Sequence, residues 1–165
     1  SLKKKNIGKR YKFMRQRGFE VVKGYEDKDI HMPVRKTKYS AGYDVEAAED
    51  VIIPKFEPGI KPTLIPTGLK AYCMEDEFYM LINRSSGPKK GLLMANSIGI
   101  IDADYYGNES NDGHFFFQYF NCSDHDIEIK KGDVIGQVIF QKFLTVDNDA
   151  AEGKRKGGIG STDNK

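Results

Sequence analysis

Apolar residues in this chain come in short runs that are β-branched or aromatic and are cut off by Gly, Pro or Asp. Such runs fall at residues 19–22, 44–47, 51–53, 63–66, 68–72, 78–82, 114–120, 127–129 and 134–141. Residues 127–129 alternate apolar and acidic, and Lys131-Gly132-Asp133 turns the chain into the longest run. Short strands separated by turn residues describe an all-β sandwich or barrel. Only the stretch around Met14 and residues 91–94 offer a helical option.

With 165 residues, the chain is long enough for one domain with a sizeable core. A hydrophobic fraction of 39% and a charged fraction of 30% fit a water-soluble globular protein. The net charge of +2 does not mark the whole chain as a nucleic-acid binder. Basic residues nevertheless crowd the start: Lys3, Lys4, Lys5, Lys9, Arg10, Lys12, Arg15 and Arg17 all precede the first acid, Glu20. A solvated extension explains them, and a nucleic-acid or partner contact is the alternative. Cys73 and Cys122 are too isolated for a zinc site or a disulfide framework, and each is expected as a small buried hydrophobe. No run approaches a membrane span and no leader pattern appears, so the expected location is the cytoplasm.

Three segments carry chemistry. In residues 96–108, a small apolar run ends in Asp102, Asp104, Tyr105, Tyr106 and Gly107. That order puts a carboxylate and an aromatic face at the expected tip of a β-hairpin. Asp102 is the candidate general base or water-orienting group, since attack on phosphorus needs an aligned water. Asp104 reads as the turn residue. Tyr105 offers a flat face to a sugar, or is simply an exposed hairpin ring. Arg84-Ser85-Ser86-Gly87, after an apolar run, supplies a charged fork, hydroxyls and close-approach amides, as a polyphosphate requires; ordinary turn chemistry uses the same residues. Residues 154–162, Lys-Arg-Lys-Gly-Gly-Ile-Gly-Ser-Thr, form a second Gly-rich cradle with basic heads, or a flexible tail. The Gly-Lys-Ser/Thr order of a P-loop is missing. His31, His114 and His125 are scattered without His-x-Glu or Cys-x-x-Cys, which argues against a zinc deaminase. Asp44 could hold waters around a magnesium ion brought in by phosphates, or be an exposed strand charge.

The order of these pieces resembles the homotrimeric dUTPase family, over roughly residues 33–162. Residues 40–44, 84–87, 96–107, 132–137 and 155–162 are similar to its five motifs, in its order. The resemblance implies a distorted jelly-roll barrel at residues 18–152, a basic extension at 1–17, and an arm at 153–165 that closes over a neighbouring active site. It implies a homotrimer with three shared sites, hydrolysis of dUTP to dUMP and pyrophosphate, and Mg²⁺ as cofactor. Asp102 would activate the water, and Tyr105 would stack under deoxyribose. Asn96 and the backbone at Gly99 and Ile101 would read uracil. Arg84, Ser85, Ser86, Gly87 and Gln137 would contact the phosphate chain. Arg155, Gly157, Gly158, Ile159, Gly160, Ser161 and Thr162 would form the gripping arm, and Asp44 would act on magnesium through water. The arm carries Ile159 where the family usually places a Phe.

The related dCTP deaminase branch, or a bifunctional deaminase and dUTPase, is the alternative enzyme. Its catalytic Glu aligns with Gln118, whose neutral amide cannot accept a proton. A non-catalytic binding protein on the same fold, acting through its basic N-terminal segment, is the alternative of another class.

Overall fold

A computed structural model describes residues 14–160. It is nearly all β. Among the described residues eleven strands follow one another: β1 Gly18–Val21, β2 Tyr43–Glu46, β3 Val51–Ile53, β4 Thr63–Pro66, β5 Leu69–Tyr72, β6 Glu77–Ile82, β7 Leu92–Met94, β8 Gly99–Asp102, β9 Phe116–Asn121, β10 Ile127–Ile129 and β11 Val134–Lys142. One helical turn, α1 at Ser86–Lys89, follows β6, and a 3₁₀ turn at Ala103–Tyr105 follows β8. The strands make a four-stranded sheet β2-β11-β6-β8, a three-stranded sheet β4-β9-β7, and the ribbons β1-β5 and β3-β10. Every ladder is antiparallel, as expected of a jelly roll built from sequence-distant pairings.

Alternation along the strands makes the core. In β9 the odd residues Phe117 and Tyr119 point inward and are essentially inaccessible, while Phe116, Gln118 and Phe120 are partly exposed. Tyr79, Phe115, Ile53, Ile65, Leu69, Val45 and Val138 complete the centre. Each such apolar side chain contributes about 1.5–3 kcal/mol on full burial. Phe117 and Tyr119 stack with their ring centroids 6.3 Å apart. Backbone approach in this core is close enough to demand glycine at Gly136, beside an irregularity in β11. A Cβ there would lie 2.1 Å from the Phe117 ring.

Three expectations are corrected. Residues 92–94 are strand β7, not helix, because Leu92–Met94 pair with β9. Of the stretch around Met14, residues 14–17 are irregular and the residues before them lie outside the described ones. The chemistry-bearing hairpin is not one: β7 and β8 are consecutive but pair with β9 and β6 respectively. Asp102 therefore ends an edge strand and opens a 3₁₀ turn instead of sitting at a hairpin tip. Cys122 is exposed and Cys73 half-buried, so neither is the fully buried hydrophobe expected. No helix among the described residues is long and apolar enough to cross a membrane.

Candidate active site

Strand β8 and its 3₁₀ turn present the acids. Asp102 stands opposite Phe78 in the β6 ladder, with its side chain largely in solvent. Tyr105, in the turn, is only 4% exposed, so it is not the exposed ring of a hairpin tip. Its hydroxyl donates to the His114 carbonyl at 2.6 Å, and Asn108 Nδ2 donates to the Tyr105 carbonyl at 2.8 Å. Burial pushes the Tyr105 hydroxyl above its ordinary pKa, so the ring stays neutral.

The C-terminal arm lies on this turn. Arg155 Nη2 is 2.7 Å from Asp102 Oδ2, and Arg155 Nε is 2.8 Å from Asp104 Oδ1. The guanidinium sits 5.9 Å from the Tyr105 ring centroid. Hydrogen bonding to Asp104, with the field of both carboxylates, raises the Arg155 pKa, so it stays charged. Asp104, expected only as a turn residue, is thus half of an arginine fork. Buried Gly158 approaches Asn111 and Ser110 so closely that a Cβ would lie 3.1 Å from Asn111 Nδ2.

Asn96, Gly99, Ile101, Asp102, Tyr105, Arg155, Gly158, Ile159 and Gly160 line one cleft of about 210 Å³, together with Leu81, Ile100, Phe115, Phe116 and Gln118. Nine of the expected site residues therefore meet in one place. Phe115 and Phe116 were not among the expected site residues, though the apolar run at 114–120 after the acidic turn was an available signal; Gln118, the position aligned with the deaminase Glu, also lines the cleft. Gly157 is half-buried beside Gly158 and does not line the cleft. Ser161 and Thr162 lie outside the described residues.

The other expected residues gather elsewhere. Arg84, Ser86 and Gly87 line a second cleft of about 350 Å³ with Asn83, Lys90 and Asp133. Ser85 precedes α1 and is exposed. Arg84 Nε is 3.5 Å from Asp44 Oδ1, and Gln137 Nε2 donates to the Asn83 carbonyl at 3.2 Å. Gln137 pairs with both Asp44 and Ile82 in the sheet. Gly42 makes room for it: a Cβ there would overlap Gln137 Oε1 at 1.9 Å. Asp44 is mostly buried, not an exposed strand charge, and its Oδ2 has no hydrogen-bond partner among the described residues.

The two groups occupy opposite ends of β6. Asp102 pairs with Phe78, whereas Gln137 pairs with Ile82 and Arg84 lies beyond. Four strand residues separate those rungs by about 13 Å, and Arg84 lies farther still.

The sequence model described as dUTPase matches residues 28–162. The chain belongs to the dUTPase family. The deoxyuridine 5'-triphosphate nucleotidohydrolase of Lactococcus lactis is 49% identical over 152 residues, covering 90% of this chain and 99% of the relative. Among solved structures, the dUTPase of Streptococcus mutans superposes with a TM-score of 0.73 at 40% identity, covering 79% of this chain and 99% of that one. A mutant dUTPase from phage phi11 of S. aureus, in which a structural Mg(II) ion is coordinated, shares the fold at 19% identity and a TM-score of 0.64, covering 84% and 98%. The jelly-roll class expected for this chain is that of the family.

Proposed function

We propose that this chain hydrolyses dUTP to dUMP and pyrophosphate, with Asp102 activating the water that attacks the α-phosphate. The observation that carries the reading is the convergence of Asp102, Tyr105, Asn96 and the arm's Arg155 on one cleft. The chemistry needs a carboxylate beside an anion-binding cation in a concave site with an aromatic wall. Asp102 accepts a proton from water as the oxygen approaches phosphorus in line with the departing pyrophosphate. Tyr105, pinned through its hydroxyl, gives deoxyribose a rigid face, and a 2′-hydroxyl would meet that face. Asn96 and the backbone at Gly99 and Ile101 offer uracil donors and acceptors. Arg155, Gly157, Gly158, Ile159, Gly160, Ser161 and Thr162 close over the phosphates, Ile159 supplying apolar cover instead of an aromatic stack.

The second group, Arg84, Ser85, Ser86, Gly87 and Gln137, suits a phosphate chain but lies too far from Asp102 along β6 to serve the same nucleotide. We extend the proposal to a homotrimer in which a neighbouring copy supplies that group. Partly exposed apolar residues support assembly: Leu64, Leu93 and Phe120 lie on the outer face of the three-stranded sheet, and Ile100 lies on edge strand β8. The family resemblance has the arm closing over a neighbour's site, whereas here it lies on its own. Swapping exchanges identical contacts, so the pairs drawn within one chain are those an exchanged arm would make.

Magnesium fits as an ion carried by the triphosphate. Among the described residues no three His, Cys, Asp or Glu side chains gather as a metal cage. The unpartnered Asp44 Oδ2 is an acceptor suited to a metal-bound water. The ion would neutralise phosphate charge there. Deamination is not favoured: Gln118 is in the cleft, and its amide cannot accept the proton that step must move. A purely binding role through the basic N-terminal segment has no support among the described residues: Arg15 and Arg17 pair with Glu20 and Glu77, and residues 1–13 lie outside the described ones.

The test is chromatographic. Purified protein with Mg²⁺ should convert dUTP to dUMP and pyrophosphate and leave dCTP, dTTP and UTP intact. Consumption of dCTP would overturn the assignment in favour of the deaminase branch, and no turnover would leave a binding protein.

A further inference from the structure

The 3₁₀ turn that carries Asp104 and Tyr105, and that begins at Asp102, is pinned on two sides. The inner pin is the Tyr105 hydroxyl on the His114 carbonyl at 2.6 Å. The outer pin is the next residue, Tyr106, whose hydroxyl donates to the Glu20 carboxylate in β1. Glu20 belongs to a stretch that precedes the residues matched to the dUTPase family, 28–162.

The outer pin is boxed in. Arg15 Nη2 holds Glu20 Oε1 at 3.1 Å while its guanidinium lies 4.0 Å over the Tyr72 ring. Tyr72 meets Tyr106 edge-on, with centroids 5.9 Å apart and planes at 74°. Lys70 Nζ sits 5.0 Å from the Tyr106 centroid and 2.8 Å from Asp112 Oδ2. The Tyr106 hydrogen bond, followed by Arg15, holds the Glu20 carboxyl below its ordinary range, so it is an ionised acceptor at neutral pH. A tyrosine wedged between two cations, a ring edge and a carboxylate has little freedom, and a one-turn helix has little rigidity of its own.

We propose that Glu20 and Tyr106 are positioning residues for dUTP hydrolysis: through the Tyr106–Glu20 hydrogen bond, the segment preceding the family domain holds the turn that aims Asp102. This rests on the hydrolysis reading. Neither residue lines the cleft, so neither touches the nucleotide. Their effect falls on the aim of the carboxylate, which belongs to the chemical step.

The experiment compares wild type, Glu20→Ala, Glu20→Gln, Tyr106→Phe and the Glu20→Ala/Tyr106→Phe double variant in steady-state dUTP hydrolysis, with melting temperatures alongside. Misplacement of a catalytic group by a fraction of an ångström should lower kcat roughly tenfold in Glu20→Ala and Tyr106→Phe, with KM within about twofold. Glu20→Gln, whose amide oxygen still accepts from Tyr106, should stay near wild type. The double variant should be no worse than the worse single one, since both remove the same contact. Tyr106→Phe deletes one oxygen and carries the test if Glu20→Ala fails to fold. Unchanged kcat in Tyr106→Phe, or Glu20→Gln falling as far as Glu20→Ala, overturns the proposal while an active wild type keeps the hydrolysis reading. An inactive wild type removes both.

Discussion

Arg155 of the C-terminal arm bonds Asp102, 53 residues earlier, through Nη2 at 2.7 Å, and only 11% of the arginine side chain is exposed. The same guanidinium reaches Asp104 through Nε. Two acids spaced two apart would repel each other across the strand-to-turn junction; a planar fork neutralises both at once. This pairing gives an otherwise Gly- and Lys-rich tail a defined seat, and it leaves the cation beside the acid where a phosphate would arrive.

Arg155→Ala should therefore weaken the active site more than the fold. Loss of a charge-assisted hydrogen bond to substrate or to Asp102 is about 2 kcal/mol, roughly thirtyfold in kcat/KM. Arg155→Lys should recover only part, because an ammonium cannot present two parallel donors. Steady-state kinetics with dUTP reads both. Equal activity in all three proteins would reduce the arm to a tail.

Asp102→Asn should keep dUTP binding and lose turnover. The amide retains the size of the carboxylate and an oxygen for Arg155, but it cannot take a proton from water. The expected fall in kcat is at least about a hundredfold. Calorimetry with a non-hydrolysable dUTP analogue, beside a product assay, separates binding from chemistry. Turnover near wild type would remove Asp102 from the mechanism.

His114 links stability to pH. It is buried, its Nε2 accepts the Gly68 amide at 2.8 Å, and burial lowers its pKa from 6.5 to about 4. The unfolded chain binds the proton first as pH falls, so the stabilisation is whole above 6.5 and drains away towards 4. The shift corresponds to a ceiling of about 3 kcal/mol. Urea midpoints should fall between pH 7 and pH 4.5 by more in wild type than in His114→Gln. Parallel curves would show that His114 does not report on folding.

Tyr79 is fully buried among aromatic rings, and among the described residues its hydroxyl makes no well-formed hydrogen bond, only a weak approach to the Ala71 backbone. An unsatisfied buried hydroxyl costs about 1–3 kcal/mol. Tyr79→Phe should melt at the same temperature as wild type or higher. A clear drop would reveal a partner for the oxygen.

Much of this was legible in the residues. The β-branched and aromatic runs located β3, β4, β10 and most of the other strands, because alternation and turn residues are local signals. The segment at Leu92–Met94 was misread because its three residues have no period of their own; only pairing with β9 makes them a strand. The hairpin at Asp102 failed for the same reason, since the partner of β8 is β6, not its sequence neighbour β7. The site residues were legible as types, a carboxylate, a ring and two basic Gly-rich segments. Which of them share a cleft depends on register, and register placed Arg84 and Asp102 at opposite ends of one strand. The role of Asp104 was hidden because its partner lies 51 residues away.

That separation sets the decisive measurement. Asp102→Asn and Arg84→Ala chains, each inactive alone, are unfolded together in denaturant, refolded as a mixture and assayed for dUMP formation. If a site takes Asp102 from one copy and Arg84 from another, mixed assemblies contain intact sites and activity returns. If every site is built within one chain, each chain carries a defect and the mixture stays as inactive as its components, which would contradict the shared active site.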